Sequence, residues 1–360
     1  MYSCAAPFVP AAPAGVPADF ADLLAGLRGQ VDARLAELVP PPRDARDLIG
    51  AALHEGVLAP GKRIRALLML LVGRGLGQPP AALLELACAV EMVHAASLFL
   101  DDLPCMDNAR LRRGRPALHA RYGEDVAMLG AVALLAQACG IAASAPGLPG
   151  ERRAQLVAVL CDAVGVQGLV RGQYRDLREG AAARRPEDIA STNEQKTGSL
   201  FSAGLEMAAL AAGASDGTRA ALRAAALALG HAFQLRDDLH DGAKTPASLG
   251  KDCHKDVGKS TMVAMLGLEA VEQRLAEHLA SAQAHLRCAL PGDEGVVLLV
   301  RAAFALQPAP PAARRKPGAE GEAERHGPDH VPRGAGALGG GLPGLQPQAA
   351  QSSQARPGAF

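Results

Sequence analysis

The stretch Leu98-Phe99-Leu100-Asp101-Asp102-Leu103-Pro104-Cys105-Met106-Asp107 places three aspartates directly after an apolar run with helical spacing. A second stretch, Phe233-Gln234-Leu235-Arg236-Asp237-Asp238-Leu239-His240-Asp241, repeats this arrangement much later in the chain. Adjacent carboxylates at the end of an apolar run repel one another and lose solvation, so a positive partner has to offset that cost. Such oxygen ligands suit Mg²⁺, which leaves its other positions to water and substrate phosphate. The two stretches therefore predict metal ions that hold a diphosphate between two acidic walls.

The spacing within each cluster indicates how its carboxylates could converge. Asp237 and Asp241 are four residues apart, so on a helix they share one face and can reach the same ion. Asp102 and Asp107 are five apart, which an unbroken helix would place on different sides. Pro104 predicts that the helix ends there and that the chain turns to bring Asp107 back.

Composition favours a helical protein with a substantial core. Of the 360 residues, 49% are hydrophobic, mostly Ala, Leu and Val, while aromatic residues make up only 3%. The 37 basic and 37 acidic side chains cancel, which argues against binding to nucleic acid or to an anionic membrane. The seven cysteines are scattered and show no CxxC spacing, so we expect neither a zinc site nor a disulfide framework, and a cytoplasmic location.

Apolar residues with helical spacing recur along most of the chain, and turn residues separate the stretches. These stretches are 19–38, 44–58, 63–76, 80–103, 118–144, 151–178, 187–212, 216–240 and 260–288. No alternating strand pattern is convincing. We therefore predict one all-α domain, a helical bundle over residues 19–305 with its site between helices.

Both ends of the chain differ in composition from this domain. Residues 1–18 are rich in Ala and Pro, lack the pattern of a secretory signal, and are predicted to be a flexible leader. Residues 306–360 are rich in Pro, Gly and Ala and cannot bury enough apolar area to offset their chain entropy. Two interpretations of this tail stay open: a disordered segment, or a translated artefact that replaces a genuine helical end.

The stretch Val126 to Ala145 is nearly uncharged and long enough to span a bilayer. Its side chains are mostly small, however, and small side chains contribute little to membrane insertion. We predict a helix of the protein core here, with no stable membrane insertion.

Basic residues that could hold phosphate alternate with the acidic clusters. Arginine forks suit phosphate oxygens, and a helix start adds its backbone N–H groups. His94, two helical turns before Asp101, could contact a phosphate or could equally be a satisfied core side chain. The basic groups are Gly61-Lys62-Arg63-Ile64-Arg65, the run Arg110, Arg112, Arg113 and Arg115, Lys196-Thr197-Gly198, Gly250-Lys251-Asp252, and the stretch from Lys255 to Thr261.

With these motifs, the chain resembles the trans-isoprenyl diphosphate synthases, the head-to-tail prenyltransferase family. Asp101 to Asp107 is similar to the family's first aspartate-rich motif in its form with two extra residues, and Asp237 to Asp241 to the second. Supporting matches are Gly61 to Arg65, Arg112-Arg113-Gly114-Arg115-Pro116, Lys196-Thr197-Gly198 and Phe233-Gln234. Within the family, the segments most like bacterial geranylgeranyl diphosphate synthases of carotenoid pathways are His94 to Leu98, Asp101 to Asn108 and Gly168 to Gln173.

The resemblance implies a single-domain helical bundle around a deep central cavity, usually as a homodimer, with about three Mg²⁺ ions. It implies that Mg²⁺ is bound by Asp101, Asp102, Asp107, Asp237 and Asp241. The allylic diphosphate would be held by Arg112, Lys196, Thr197 and Lys251. Isopentenyl diphosphate would be held by Lys62, Arg65, His94 and Arg113, with Gln234 nearby. The residues expected to carry catalysis are Asp101, Asp102, Asp107, Asp237 and Lys196.

The resemblance also implies a reaction and a product. Ionisation of the allylic diphosphate, attack by isopentenyl diphosphate and proton loss would lengthen the chain. Ala96 and Ser97 would line the path of the growing product, and the small Ala96 favours twenty carbons, hence geranylgeranyl diphosphate. Two alternatives stay open: a farnesyl diphosphate synthase, and a non-catalytic helical partner subunit of such an enzyme.

Departures from the family pattern concern three places. Ala66 stands where the family often has proline, and the stretch from Gly242 to Leu249 is longer than in the carotenoid-type relatives, which affects where Lys251 lies. The tail after Phe304 does not resemble the family's last helix.

Overall fold

A computed structural model describes residues 17–179, 185–243 and 262–304, with the backbone alone for residues 186 and 240–243. Helices account for nearly all regular structure in this part of the chain. In chain order they are α1 (Ala18–Leu38), α2 (Leu48–Val57), α3 (Ile64–Gly75), α4 (Pro80–Asp101), α5 (Leu118–Tyr122), α6 (Glu124–Ala143), α7 (Gly150–Val164), α8 (Leu169–Glu179), α9 (Pro186–Asn193), a π-helical segment (Glu194–Gly198), α10 (Ser199–Ala212), α11 (Asp216–Ala243), α12 (Met262–Leu266), α13 (Leu268–Ala289) and α14 (Gly295–Phe304). The predicted all-α class is confirmed.

Helix α4 lies at the centre of this bundle and carries the first acidic cluster at its end. Pro80 occupies its first turn, where the missing N–H costs nothing. Apolar side chains cover most of its circumference, so it packs against α1, α3, α6 and α10. Because burial on several sides holds the axis of α4 in place, the residues at its carboxyl end start from a rigid position.

The chain turns sharply after α4, as Pro104 predicts. The backbone N–H of Asp107 donates to the carbonyl oxygen of Asp101 at 2.9 Å, and that of Ala109 donates to Asp102 at 3.1 Å. These bonds satisfy carbonyls that the end of the helix leaves without partners. The first and last aspartates of the cluster are therefore tied together through the backbone.

A small hairpin that the sequence pattern did not predict follows this turn. The strands β1 (Leu111–Arg112) and β2 (Arg115–Pro116) pair antiparallel around a two-residue turn. Arg113 and Gly114 in the turn have φ angles of 53° and 75°, the left-handed geometry of a tight hairpin. The hairpin aims successive arginines in opposite directions, because side chains alternate along strands.

Helix α6 is the stretch expected to be a core helix. It begins after Gly123, and one face is buried while Met128, Leu129 and Val132 are exposed, Val132 to 63%. By length and composition, three stretches of the described chain could cross a membrane: Pro80–Asp101, Glu124–Ala143 and Gly150–Glu179. The helical prediction holds for α6, but burial is limited to one side.

The π-helical segment is fixed by two close backbone approaches. A Cβ at Gly172 in α8 would lie 2.3 Å from the backbone nitrogen of Lys196. A Cβ at Gly230 in α11 would lie 2.7 Å from Cα of Gly198. Only glycine permits such contacts, so α8 and α11 clamp this segment from two sides. Short π segments of this kind are frequent at functional sites.

Helix α11 includes the whole second acidic cluster, residues 237 to 241, and packs lengthwise on α13. It is helical through Ala243, so residues 237 and 241 lie on one face, as expected from their spacing. All described residues belong to one compact unit. Of the predicted leader, only residues 17 and 18 are described, and α1 begins at Ala18. The predicted tail lies outside the described residues, and both segments stay predictions.

Candidate active site

Asp101 is the most perturbed carboxylate of the first cluster. Burial raises its pKa to about 6, and the neighbouring Asp107 and Asp102 act in the same direction. Lys196 and Arg112 act in the opposite direction because their positive charges favour the ionised form. A carboxylate held in such an environment gains stability from any further cation that approaches it.

Asp102 faces Arg112 across the turn. The guanidinium of Arg112 donates from Nε to Asp102 Oδ1 at 3.0 Å, and from Nη2 to the same oxygen over a shorter distance. Asp102 is buried, whereas Arg112 is about one-third exposed. The structure thus brings together two residues with different expected roles, a metal ligand and a phosphate ligand, and shows Asp102 orienting the arginine.

Lys196 lies between the acidic cluster and a carboxylate from α8. Its Nζ donates to Asp176 Oδ2 at 2.7 Å. Burial lowers the pKa of the Lys196 ammonium, but the carboxylates of Asp176, Asp101 and Asp107 outweigh burial and hold that pKa above its ordinary value. The ammonium is therefore charged and shared between α8 and the end of α4.

Arg65 connects this region to the second cluster. Its guanidinium lies over the ring of Phe201 at 4.6 Å and near that of Phe233 at 5.7 Å. Its Nε is buried and has no hydrogen-bond partner among the described residues. Asp237 and Glu91 both favour its charged form, while Arg113 opposes it. Burial is the largest effect and lowers the pKa of the Arg65 guanidinium. The charges of both acidic residues and of Arg113 therefore act on the same buried group.

His94 lies within the same group of cations. Burial lowers the pKa of its imidazole well below the usual value, and the charges of Arg65, Arg113, Arg63 and Arg112 lower it further. The ring is therefore neutral at pH 7. The charges of four arginines act on this imidazole, and Arg65 Nε has no hydrogen-bond partner among the described residues, so the surroundings of His94 are electrostatically suited to an anion.

The lowered pKa of His94 predicts a pH dependence of stability. Unfolded histidine takes up a proton as the pH falls through about 6.5, whereas folded His94 does not, so acidification favours the unfolded chain. Relative to His94→Gln, the wild-type free energy of unfolding is expected to fall by about 1 kcal/mol between pH 7.5 and 5.5. Urea titrations of both proteins measure it. An identical pH dependence in the two proteins would contradict the assignment.

Arg113, one of the arginines that act on His94, lies beside the loop that carries Lys62. Arg113 is exposed, donates from Nη1 to the carbonyl oxygen of Ala59 at 3.1 Å, and lies directly over Gly61. Lys62, the next residue, is also exposed. The loop before α3 and the hairpin after α4 therefore meet, and both present cations to solvent at the same place.

The remaining expected residues fall into three groups. Gln234 donates from Nε2 to Asp238 Oδ1 at 3.0 Å, and Asp238 accepts from the backbone N–H of Met262 at 3.1 Å. This pair anchors the start of α12 to α11, which is a structural role. Thr197 is half-buried beside Lys196. The side chain of Asp241 and all of Lys251 lie outside the described residues, so their expected roles stay predictions.

The two residues expected to set product length, Ala96 and Ser97, lie about one helical turn before the cluster. Ala96 is wholly buried, and Ser97 is half-buried with its Oγ donating to the carbonyl oxygen of His94 at 2.9 Å. Ala96 packs in the apolar core of the bundle. A larger side chain there would have to displace its neighbours.

Asp176 and Gln173 are site residues that motif analysis did not assign. Gln173 Oε1 is buried without a hydrogen-bond partner among the described residues, and its Nε2 lies 4.0 Å from the sulfur of Met106. Asp176 is four residues after Gly172, so both lie on the α8 face that touches the π segment. The spacing of these two residues could be read from the sequence. It identifies Asp176 as a site residue only when the structure shows that α8 packs on the π-helical segment.

The donor set fits a hard divalent cation. Carboxylate oxygens are its preferred ligands, and the raised pKa of Asp101 shows that burial leaves negative charge in need of a counter-ion. Within residues 17–179, 185–243 and 262–304, no three His, Cys, Asp or Glu side chains converge closely enough to hold a metal alone. Such an ion would therefore have to take its other ligands from water or a substrate.

Comparisons with known proteins agree with this geometry. A sequence model of the polyprenyl synthetase family matches residues 46–288, more than half of the chain. The geranylgeranyl diphosphate synthase of Pseudescherichia vulneris is 54% identical over 268 residues, covering 74% of this chain and 86% of that protein. The enzyme of the same name from Pantoea ananas is 50% identical over 280 residues, covering 77% and 91%.

A solved structure with the same fold is the geranyltransferase from Helicobacter pylori complexed with magnesium and isoprenyl diphosphate. It superposes with a TM-score of 0.70 at 29% identity and covers 81% of this chain and 97% of that one. The predicted all-helical fold and the predicted resemblance are both confirmed. From the site and these similarities together, we conclude that the chain belongs to the polyprenyl synthetase family and is a prenyltransferase.

Proposed function

We propose that this protein condenses isopentenyl diphosphate with an allylic diphosphate to make geranylgeranyl diphosphate and diphosphate. The main support is the concentration of charge at one place: Asp101 with its raised pKa, the charged Lys196, and the arginines around His94. The relatives named geranylgeranyl diphosphate synthase, at 54% and 50% identity, support the twenty-carbon product.

The proposed metal ligands are Asp101, Asp102, Asp107, Asp237 and Asp241, for Mg²⁺ shared with the substrate diphosphate. When bound, Mg²⁺ supplies charge that stabilises the departing diphosphate. The backbone bond between Asp107 and Asp101 supports this assignment, because it keeps two of the carboxylates together. These carboxylates act as ligands and not as acids or bases.

Two groups of cations would hold the two substrates. Lys196 and Arg112, with Thr197 and Lys251, bind the allylic diphosphate, and Lys196 stabilises the charge that develops when the carbon–oxygen bond breaks. Lys62, Arg65, His94 and Arg113 bind isopentenyl diphosphate, with Gln234 nearby. The neutral imidazole of His94 can donate one hydrogen bond without adding to the repulsion among the arginines.

The chemistry then depends on the surroundings of the reacting carbons. Apolar side chains of the helix bundle exclude water, so the allylic cation survives until the double bond of isopentenyl diphosphate attacks it. The released diphosphate removes the proton that completes the reaction. No covalent intermediate with the protein forms.

We also propose that the protein acts as a cytoplasmic homodimer in carotenoid biosynthesis. The exposed apolar side chains Met128, Leu129 and Val132 on α6 support self-association, because together they form an apolar surface that a second copy could cover.

The decisive experiment uses the purified full chain with Mg²⁺, labelled isopentenyl diphosphate, and allylic diphosphates of five, ten or fifteen carbons in turn. The expected product is a twenty-carbon diphosphate, identified by chromatography after dephosphorylation. Addition of a chelator is expected to abolish turnover. A fifteen-carbon end product would indicate a farnesyl diphosphate synthase, and complete inactivity of the folded protein would favour the non-catalytic partner subunit.

Replacing Ala96 by phenylalanine tests the product path. Because Ala96 is wholly buried one turn before the aspartates, the larger ring is expected to block the path and shorten the product to fifteen carbons. Overpacking is expected to cost about 1–3 kcal/mol of stability. Ala96→Val, a smaller increase, is the control and should retain the twenty-carbon product. An unchanged product from folded Ala96→Phe would show that the path lies elsewhere.

A further inference from the structure

Arg63 stands between two cations of the proposed isopentenyl diphosphate site but differs from them in its surroundings. Lys62 is exposed and Arg65 is half-buried, whereas the Arg63 side chain is only 5% exposed. In the sequence all three appear as one basic group at the start of α3. Burial separates Arg63 from the other two.

All three nitrogens of the Arg63 guanidinium donate hydrogen bonds to acceptors within the protein. Nε donates to Asp32 Oδ1 at 2.8 Å, Nη1 to Glu91 Oε2 at 3.4 Å, and Nη2 to the carbonyl oxygens of Val57 and Ala59 at 2.8 and 3.5 Å. With α1, α4 and the end of α2 as acceptors, Arg63 joins three elements. A guanidinium engaged on every nitrogen is not available to grip a diphosphate.

The partners of Arg63 also contact the proposed site. Glu91, 4% exposed, accepts from the backbone N–H of Ala66 in the first turn of α3 at 3.4 Å, and it lies one helical turn before His94. The carbonyl oxygen of Ala59 accepts from Arg113 as well as from Arg63. The network therefore touches both helices and the loop that present the cations.

The backbone of Arg63 is held in a strained conformation by these contacts. Its φ of 49° and ψ of 35° are left-handed, a conformation that residues other than glycine rarely adopt. Arg63 is the residue directly before α3, so its backbone conformation sets how the chain passes from Lys62 into the first turn that carries Arg65. Such a conformation persists only where the surroundings over-determine it.

We infer that Arg63, together with Asp32 and Glu91, is a positioning residue that fixes Lys62, Arg65 and Arg113 for the isopentenyl diphosphate. This inference rests on the proposed function. Glu91 contributes charge as well as position, since it favours the charged forms of both Arg65 and Arg113. The net negative charge of the network offsets repulsion among the cations before substrate binds.

The test is Arg63→Lys, which keeps the charge and loses the planar fork. The expected result is an increase of about 10-fold in KM for isopentenyl diphosphate, with KM for the allylic diphosphate and kcat changed less than twofold. A merely structural role would lower thermal stability and the active fraction without separating the two KM values. Equal KM changes, or none, in folded Arg63→Lys would overturn the inference.

Arg219→Lys is the matched control. Arg219 donates from Nε to the buried Glu206 at 2.9 Å, but it lies near the start of α11, eighteen residues or about 27 Å of helix before Asp237. It should lose stability without a change in either KM.

Two further variants keep the result interpretable. Asp32 is 46% exposed, so Asp32→Asn folds even if Arg63→Lys does not, and it should raise the KM for isopentenyl diphosphate about threefold. No change in folded Asp32→Asn would overturn the inference.

Arg113→Gln tests the proposed site itself. If only Arg113→Gln raises the KM for isopentenyl diphosphate, the proposed site is supported and the positioning role of Arg63 is contradicted. If Arg113→Gln leaves this KM unchanged, both the proposed site and the positioning role are contradicted.

Discussion

Replacement of Asp101 by asparagine is expected to lower kcat by about 10³-fold while the protein becomes more stable. The loss of activity follows from removing one of the carboxylates that would hold Mg²⁺ against the leaving group. The gain in stability follows from burial, which raises the pKa of Asp101 to about 6. Steady-state kinetics with saturating Mg²⁺ and thermal unfolding without Mg²⁺ measure the two effects.

The sign of the stability change follows from linkage. The folded pKa of Asp101 lies above the unfolded value of about 4, so its ionised form destabilises the fold above pH 6 and costs nothing below pH 4. Asp101→Asn should therefore add about 3 kcal/mol at pH 7.5, and this difference should vanish as the pH falls. A loss of stability at pH 7.5 would contradict the described environment of Asp101.

Asp216→Asn provides the control for the aspartate variant. Its side chain is 99% exposed in the first turn of α11, far from the second cluster on the same helix. Both kcat and stability should stay within the range of ordinary surface substitutions, about 0.5 kcal/mol. Asp237→Asn should resemble Asp101→Asn in activity, because the two clusters are proposed to hold the same diphosphate.

Replacement of Lys196 by glutamine is expected to lower kcat by about 10²-fold and to raise KM for the allylic diphosphate. The ammonium of Lys196 is shared by Asp176, Asp101 and Asp107, so its loss removes a charge at the position where the leaving group would lie. The variant should also lose about 1–2 kcal/mol of stability, since the mostly buried Asp176 loses its ion pair with Lys196.

A double variant separates these two effects. Lys196→Gln with Asp176→Asn removes both charges of the pair, so stability should recover while activity stays low. Recovery of activity in the double variant would show that Lys196 serves only to neutralise Asp176. The exposed pair Arg287 and Glu294 offers a comparison, because its removal should change neither activity nor stability measurably.

Local features of the site were predictable from the sequence. The turn after α4 follows from Pro104, and the bond from the Asp107 N–H to the Asp101 carbonyl confirms it. The shared face of residues 237 and 241 follows from helical spacing. Both features depend on residues a few positions apart in the chain, so the local sequence is enough to predict them.

Other features depend on partners that the sequence pattern does not identify. The hairpin after α4 was missed because two strands of two residues each leave no alternating pattern to detect. The pairing of Lys196 with Asp176 was missed because α8 and the π segment meet only through the close approach at Gly172.

The sequence by itself determined that the chain is helical, that its acidic clusters follow apolar helices, and that its family is that of the prenyl synthases. Only the tertiary structure decided which cations of the basic group before α3 are exposed and which are turned inward. The sequence context is nearly the same for Lys62, Arg63 and Arg65. Only the structure shows that Arg63 pairs with Asp32 and Glu91, which are far from it in sequence and close to it in space. The physical reason is that burial and charge pairing are properties of neighbours in space, which helical periodicity alone does not specify.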